Sequence, residues 1–385
     1  MKSSFYTEDH EAYRESVRAF TQREVVPYYE KWDDDHLIDR EVWEVAGSQQ
    51  IIGLAAPESL GGGGDEDYRY RMIVAEELSK IAAPSMAAGF AVQDDLVLPY
   101  LLDLATPDQA QRLIPGLTAG TSIGAIAMTE PGAGSDLQGI ATKAVRDGSD
   151  WILDGSKTFI TNGIHADVVI VFARTDPSAG SKGYSLLLVE RDFEGFTRGR
   201  KLDKVGMPGQ DTAELNFAGV RVPAENLLGE EGAGLRYLME RLPRERISIA
   251  AAALTALEAA YRWTTDYVFD RKAFGQRIGD FQNTRFVLAE IETEIDITRA
   301  YVERCVLGLN EGELTTQEAS KAKWWASELQ VRNTSRLLQL YGGYGFMKEY
   351  PIGRAYADCR VQSIYGGTTE IMKEIIGRGI AGRYR

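Results

Sequence analysis

The hydrophobic period of this 385-residue chain changes twice, and that constrains its fold more than any one motif. Up to about residue 120 apolar residues recur at three- and four-residue spacing. EDHEAYRESVRAFTQREVVPYYEKW and DYRYRMIVAEELSKIAA read as amphipathic helices, with a loop, PESLGGGGDED, between them. From about 121 the apolar runs are short, β-branched or aromatic, and bounded by Gly, Asp, Asn or Pro. WILDGSKTFI, ADVVIVFAR, GYSLLLVE and TAELNFAGVRV read as strands by that pattern. From about 234 long helical stripes return, in RISIAAAALTALEAAYRWTTDYVFDRKAF, NTRFVLAEIETEIDITRAYVERCVLGL and TTQEASKAKWWASELQVRNTSRLLQLYGG. The pattern predicts an α+β protein: a helical domain over 1–122, a β-domain over 123–233 and a helical domain over 234–385.

The net charge of −14 argues against nucleic acid or an anionic membrane as the main partner. No apolar run approaches a membrane span, and the polar, acidic N-terminal stretch has no signal-peptide core. With two cysteines, Cys305 and Cys359, no disulfide framework or zinc cluster is readable, and the expected compartment is the reducing cytoplasm. His10, His36 and His165 lack metal or triad spacing, so no metal is expected.

Two glycine-bearing stretches look like phosphate loops and are not. GGGG at 61–64 is followed by acids rather than a GK[ST] sequence, and reads as a flexible turn. GSKT at 155–158 lacks the upstream glycine, and its Gly-Ser reads as a hairpin turn. AMTEPGAGSDLQGI (127–140) differs: Pro131-Gly132 favours a tight turn, Gly134 allows close backbone approach, and Thr129, Ser135 and Asp136 supply small polar side chains. About twenty residues on, KTFITNG (157–163) places Phe159 and Thr161 on one strand face. A planar ligand stacked on Phe159 and hydrogen-bonded by Thr161 fits; a plain loop beside a core Phe and a buried Thr is the plainer reading.

These two stretches, in this order, resemble the acyl-CoA dehydrogenase family. The resemblance continues in GMPGQDTAELNF (206–217), VPAENLLGEEGAG (222–234), DRKAFGQRIGDFQ (270–282), LQLYGGYGF (338–346) and YGGTTEIMKEIIGR (365–378), collinear over nearly the whole chain. The phrasing is nearest the long-chain branch, with the isovaleryl type second. The resemblance implies that family's fold: an N-terminal helical domain, a central β-barrel-like domain and a C-terminal four-helix bundle. It further implies FAD held between the β-domain and the C-terminal helices, in a homotetramer built as a dimer of dimers.

By the same match Met128 and Thr129 meet the isoalloxazine, Ser135 lies near the flavin or the thioester, Phe159 packs on the ring and Thr161 bonds its N5 region. Arg271, Phe274, Gln282, Gln339 and Gly343 match residues that meet the pyrophosphate and adenosine across the dimer interface. Thr368 and Glu370 match positions near the neighbouring subunit's diphosphate, an awkward place for an anionic Glu.

Many family members carry the catalytic Glu before the GT of the C-terminal turn, where SIYGGTTEI has Gly366. The isovaleryl and long-chain branches place it on another helix before an Arg, and LPRERISIA matches with Glu245 and Arg246. Read without the resemblance, Arg244-Glu245-Arg246 is a solvated charge run. Pro243 predicts a helix's first turn, where the dipole lowers the pKa of Glu245 while burial raises it. The expected roles are Glu245 as base, the Gly366 N–H as donor to the thioester carbonyl, and Ser135 and Arg246 beside the substrate. An acyl-CoA would then become trans-2-enoyl-CoA, with hydride passing to flavin N5 and electrons to an electron-transfer flavoprotein.

GFAVQDDLVLPYL is the stretch expected at the acyl pocket; its Gln93, Asp94 and Asp95 are unusual there, and one or both acids are expected to face solvent. Otherwise the substrate is branched, polar or carrier-protein-bound, as in a biosynthetic pathway. The remaining alternatives are an oxidase, which usually carries a further C-terminal domain, and a catalytically inactive flavin-binding paralogue.

Overall fold

The computed structural model describes residues 5–384. Seven helices form the first part: α1 (Glu8–Phe20), α2 (Tyr29–Asp35), α3 (Glu41–Ser48), α4 (Tyr68–Lys80), α5 (Pro84–Ala91), α6 (Leu98–Leu104) and α7 (Pro107–Thr118). Their starts carry the expected chemistry. The Asp67 carboxylate accepts from the Arg69 N–H at α4, and Thr106 with Gln109 forms a capping box ahead of Pro107. A π-helical turn, Val92–Val97, joins α5 to α6.

The middle part is one sheet of β1 (Gly124–Ala127), β2 (Lys143–Asp147), β3 (Asp150–Thr161), β4 (Val168–Arg174), β5 (Tyr184–Glu190), β6 (Phe196–Lys201), β7 (Thr212–Val222) and β8 (Leu227–Leu228). The order is β6-β7-β3-β2-β4-β5-β8, with β1 parallel beside β4. β4 and β5 are buried on both faces, which is why VVIVFA and YSLLLV are continuous apolar runs without alternation. One face packs Ile170 and Leu186 with Leu101 and Ile114 of the helices. The other packs Val171 and Leu187 with Trp151 and Leu215, so the strands fold over a shared core while the pairing path ends at β6 and β8.

The last part comprises α8 (Gly234–Asp270), a ribbon of β9 (Lys272–Ala273) and β10 (Gln276–Arg277), then α9 (Gln282–Asn310), α10 (Thr316–Tyr341), α11 (Pro351–Asp358) and α12 (Thr369–Gly382). α10 packs against α8, α9 and α12, around Ile247, Leu254, Ile291, Val302, Leu329 and Leu337. Among the described residues no helix is long and apolar enough to cross a membrane.

Two local expectations are overturned. Pro243 does not open a helix: α8 begins at Gly234 and runs through it. Proline removes one helical N–H, but the packed residues from Arg246 onward carry the helix past that loss. Glu245 therefore lies well inside α8, where a first-turn dipole does not act. Nor does GSKT make a hairpin turn, for β3 is unbroken from Asp150 to Thr161. Gly155 absorbs a register shift with φ +149, and a Cβ there would sit 2.4 Å from Thr142 Oγ1.

Candidate active site

Glu245 lies two residues beyond Pro243 on α8 and is half-buried. Burial pushes its carboxyl up to about 7, against the pull of Arg246 and Lys323. Facing it, the chain passes from the 3-10 turn Cys359–Ser363 into α12 through Gly366 (φ +61) and Gly367 (φ +98), both left-handed. A Cβ on Gly366 would stand 3.4 Å from Glu245 Oε1 and 2.2 Å from Ile249 Cδ1. Among the described residues no group accepts the Gly366 N–H.

The phenols of Tyr100 on α6 and Tyr365 in the turn lie close enough to feel the Glu245 charge, and burial first, then that charge, raises both above the ordinary tyrosine value. Arg246 is buried and donates to Ser320 Oγ at 3.3 Å. Lys323, on α10, is fully buried and donates to the Gly367 carbonyl at 2.6 Å. Lys323 and Ser320 carry no motif and escape sequence reading.

Neither Asp94 nor Asp95 faces solvent, contrary to expectation; both are buried. Arg71 lies between them, 3.0 Å from Asp94 Oδ2 and 3.2 Å from Asp95 Oδ1. The Gly53 N–H donates to Asp94 at 3.1 Å, and Ser248 Oγ and the Tyr68 hydroxyl donate to Asp95 at 2.5 and 3.2 Å. These partners offset part of the desolvation that otherwise keeps acids at the surface, and burial still raises Asp94 to about 6. Gln93 is spent on backbone, donating to the Leu117 carbonyl and accepting from the Gly124 N–H.

The Thr129–Asp136 loop is anchored by a buried pair. Lys157 Nζ donates to Glu130 Oε1 at 2.9 Å and to the Met128 carbonyl at 2.8 Å, and the Thr158 N–H bonds the Thr129 carbonyl. The Glu130 carboxylate also accepts from the Ala141 and Thr142 N–H groups. Lys157 is the lysine of GSKT, so the turn reading hid it. Met128 and Thr129 are half-buried at the end of β1, Ser135 is exposed, and a Cβ on Gly132 would meet open space.

Opposite the Thr129 carbonyl, β3 shifts register between Lys157 and Ile160 and presents Phe159 at φ +60, 68% exposed. A left-handed phenylalanine costs about 1 kcal/mol or more of backbone strain and points to function. Thr161, half-buried, accepts from Gln210 Nε2 at 2.8 Å, which leaves its hydroxyl proton to donate. An outward aromatic, an open glycine loop and a free hydroxyl donor fit a flat ring with acceptor nitrogens, as in a flavin.

The remaining predicted residues gather elsewhere. Arg271 stands 5.3 Å over the Tyr344 ring, joining the end of α8 to the 3-10 turn Gly342–Phe346 that holds Gly343. Phe274 is 96% exposed there, and Gln282 and Gln339 are exposed. This cluster lies at the far end of α8, roughly 37 Å along its axis from Glu245, so one chain does not bring the two groups together. Thr368 caps α12, accepting from the Ile371 N–H, and Glu370 is exposed in its first turn, where the helix dipole favours an anion.

Helices packed on a sheet, a half-buried carboxylate beside a glycine turn and an exposed aromatic beside an open glycine loop suit an oxidoreductase that acts on CH–CH bonds with a flavin, the class to which the chain's relatives belong. The N-terminal, middle and C-terminal domain models of acyl-CoA dehydrogenase match residues 7–121, 125–220 and 232–381. The chain is 49% identical to the long-chain specific acyl-CoA dehydrogenase of Sus scrofa, covering 97% of this chain and 87% of that one. A solved acyl-CoA dehydrogenase from Geobacillus kaustophilus is 46% identical with a TM-score of 0.96, covering 98% of this chain and all of that one. A glutaryl-CoA dehydrogenase from Mycobacterium smegmatis, solved in complex with FADH2, is 27% identical with a TM-score of 0.91 over 98% of this chain and 96% of that one. The chain belongs to the acyl-CoA dehydrogenase family, whose members are FAD-dependent.

Proposed function

We propose that this chain oxidises a long-chain acyl-CoA to the trans-2-enoyl-CoA, with Glu245 as the base. The observation that carries the reading is the approach of Glu245 Oε1 to within 3.4 Å of where a Gly366 side chain would begin. The turn carries no side chain here, and Ile249 and the Glu245 carboxylate, both from α8, border the space one would take.

Glu245 takes the α-proton. Its value near 7 suits a base at neutral pH, since a weaker base would remove the proton poorly and a stronger one would already be protonated. The Gly366 N–H donates to the thioester carbonyl oxygen, which gains negative charge as the α-proton leaves. Arg246 holds Glu245 from rising further, and Ser135 is exposed beside the loop for contact with the thioester. FAD, when bound, would supply the hydride acceptor for the β-hydrogen. Met128, Thr129, Phe159 and Thr161 would hold its ring, and Arg271, Phe274, Gln282, Gln339, Gly343, Thr368 and Glu370 its diphosphate and adenosine across a subunit interface. Phe274 and Phe346, 96% and 85% exposed, suit such an interface, and we assign a homotetramer. Re-oxidation by an electron-transfer flavoprotein and a cytoplasmic location complete the proposal, and the long-chain preference rests on the 49% identity above.

The test is anaerobic mixing of the yellow holoprotein with palmitoyl-CoA. Rapid bleaching that is lost in Glu245→Gln is the expected result. Full bleaching by Glu245→Gln would remove Glu245 from the mechanism, and a protein that cannot take up FAD would overturn the whole reading.

A further inference from the structure

Lys323 is fully buried in the first third of α10, and it donates to a neutral acceptor, the Gly367 carbonyl, at 2.6 Å. Among the described residues no carboxylate oxygen lies within ion-pair distance of it. A methionine would fill the same space without desolvating a charge, so packing does not account for the lysine. The charges around it come from three elements: Glu245 and Arg246 of α8, Glu328 of α10 and Glu370 of α12. Tyr100 and Tyr365 complete the surroundings of Glu245. Glu328 is engaged by the Thr369 hydroxyl at 2.5 Å, and Glu370 is exposed. Once Glu245 is protonated, Lys323 and Arg246 remain as two buried cations beside the turn.

The turn needs a clamp. Gly366 and Gly367 are both left-handed and have no side chain to restrict them, so the direction of the Gly366 N–H is otherwise soft. The Lys323 bond fixes the Gly367 carbonyl, two peptide planes beyond that N–H, and so ties down the far end of the two-glycine turn.

We propose that Lys323 is a positioning residue for α-proton removal, holding the Gly366–Gly367 turn by the Gly367 carbonyl and, in its protonated form, directing a positive charge at the reacting end of the thioester. The inference rests on the function proposed above. A preorganised charge of this kind acts where negative charge develops and requires no reorganisation during the reaction.

The test compares wild type, Lys323→Met and Lys323→Arg as holoenzymes. Flavin bleaching by palmitoyl-CoA is followed from pH 5.5 to 9, and 3-ketopalmitoyl-CoA, an acidic thioester, is titrated by its enolate absorbance. Lys323→Met is expected to bleach roughly 100-fold more slowly, the scale of losing the Gly366 donor at a developing oxyanion once the turn is released. Its bleaching midpoint moves to higher pH, because a cation near Glu245 holds that carboxyl down, and bound 3-ketopalmitoyl-CoA needs a higher pH to ionise. Lys323→Arg, which keeps the charge, retains the wild-type midpoint. The inference is overturned if Lys323→Met shares the wild-type midpoint and enolate titration, or if both variants are equally slow with unmoved midpoints. It is also overturned if Lys323→Met fails to fold while a folded Lys323→Arg shifts its midpoint, since lysine would then be a strut. A wild type that no acyl-CoA bleaches removes the function as well, whereas a bleaching wild type with an inactive Glu245→Gln isolates failure to Lys323.

Discussion

Gly366 and Glu245, 121 positions apart, meet so closely that a Cβ on the glycine would stand 3.4 Å from the carboxylate Oε1. The same Cβ would fall 2.2 Å from Ile249 Cδ1, at a residue whose φ is +61. Gly366→Ala should therefore strain the backbone by about 1 kcal/mol and push α8 side chains away from the turn. Bleaching by palmitoyl-CoA should fall at least about tenfold, the equivalent of about 1.4 kcal/mol. Adding Ile249→Val, which makes room, should restore part of it; stopped-flow comparison of the single and double variants decides.

Glu245→Gln should inactivate the protein and stabilise it at the same time. The folded state holds the Glu245 proton up to about 7, while the unfolded chain loses it near the ordinary value of 4.5. The raised value favours the fold below pH 4.5, and that contribution is lost as pH rises to about 7. Glutamine removes the penalty, so the variant should gain up to about 3 kcal/mol at pH 8 and almost nothing at pH 4. Urea melts at both pH values measure the difference.

Phe159→Ala should leave folding nearly unchanged, because the ring is 68% exposed and its left-handed backbone gives no stability. Its effect should appear in cofactor binding, as about a tenfold loss of FAD affinity, on the scale of one aromatic stacking contact. Fluorescence titration of apoprotein with FAD reads it.

Glu130→Gln should loosen the Thr129–Asp136 loop. Lys157 would remain buried with its charge uncompensated, at a cost of about 3 kcal/mol. Melting temperature and FAD retention on gel filtration should fall together, and Lys157→Met in the Glu130→Gln background should recover stability.

Arg71→Met should unfold the helical part more readily at pH 8 than at pH 5. At pH 8 it leaves Asp94 and Asp95 buried without their cation, a loss of about 3–5 kcal/mol. Burial already raises Asp94 to about 6, so at pH 5 the acid is largely neutral and the loss shrinks. Denaturant midpoints at the two pH values provide the check.

The helix–sheet–helix order was legible because burial imposes a local period, 3.6 or 2, on every element whatever its neighbours. β4 and β5 could be read from their unbroken apolar runs, and the Glu245–Arg246 and Gly366–Gly367 signals from a family pattern. β2 and β6 could not, since KAVRD and FTRGRK are polar strands held by pairing with β3 and β7. What the tertiary structure decided is the fate of charges. Arg71 meets Asp95 across 24 positions, Lys157 meets Glu130 across 27, and Lys323 meets Gly367 across 44. Whether an acid faces solvent or lies buried depends on a partner elsewhere in the chain, and no local period records that partner. Pro243 inside α8 and the left-handed Phe159 follow the same rule: tertiary packing overrode the local preference.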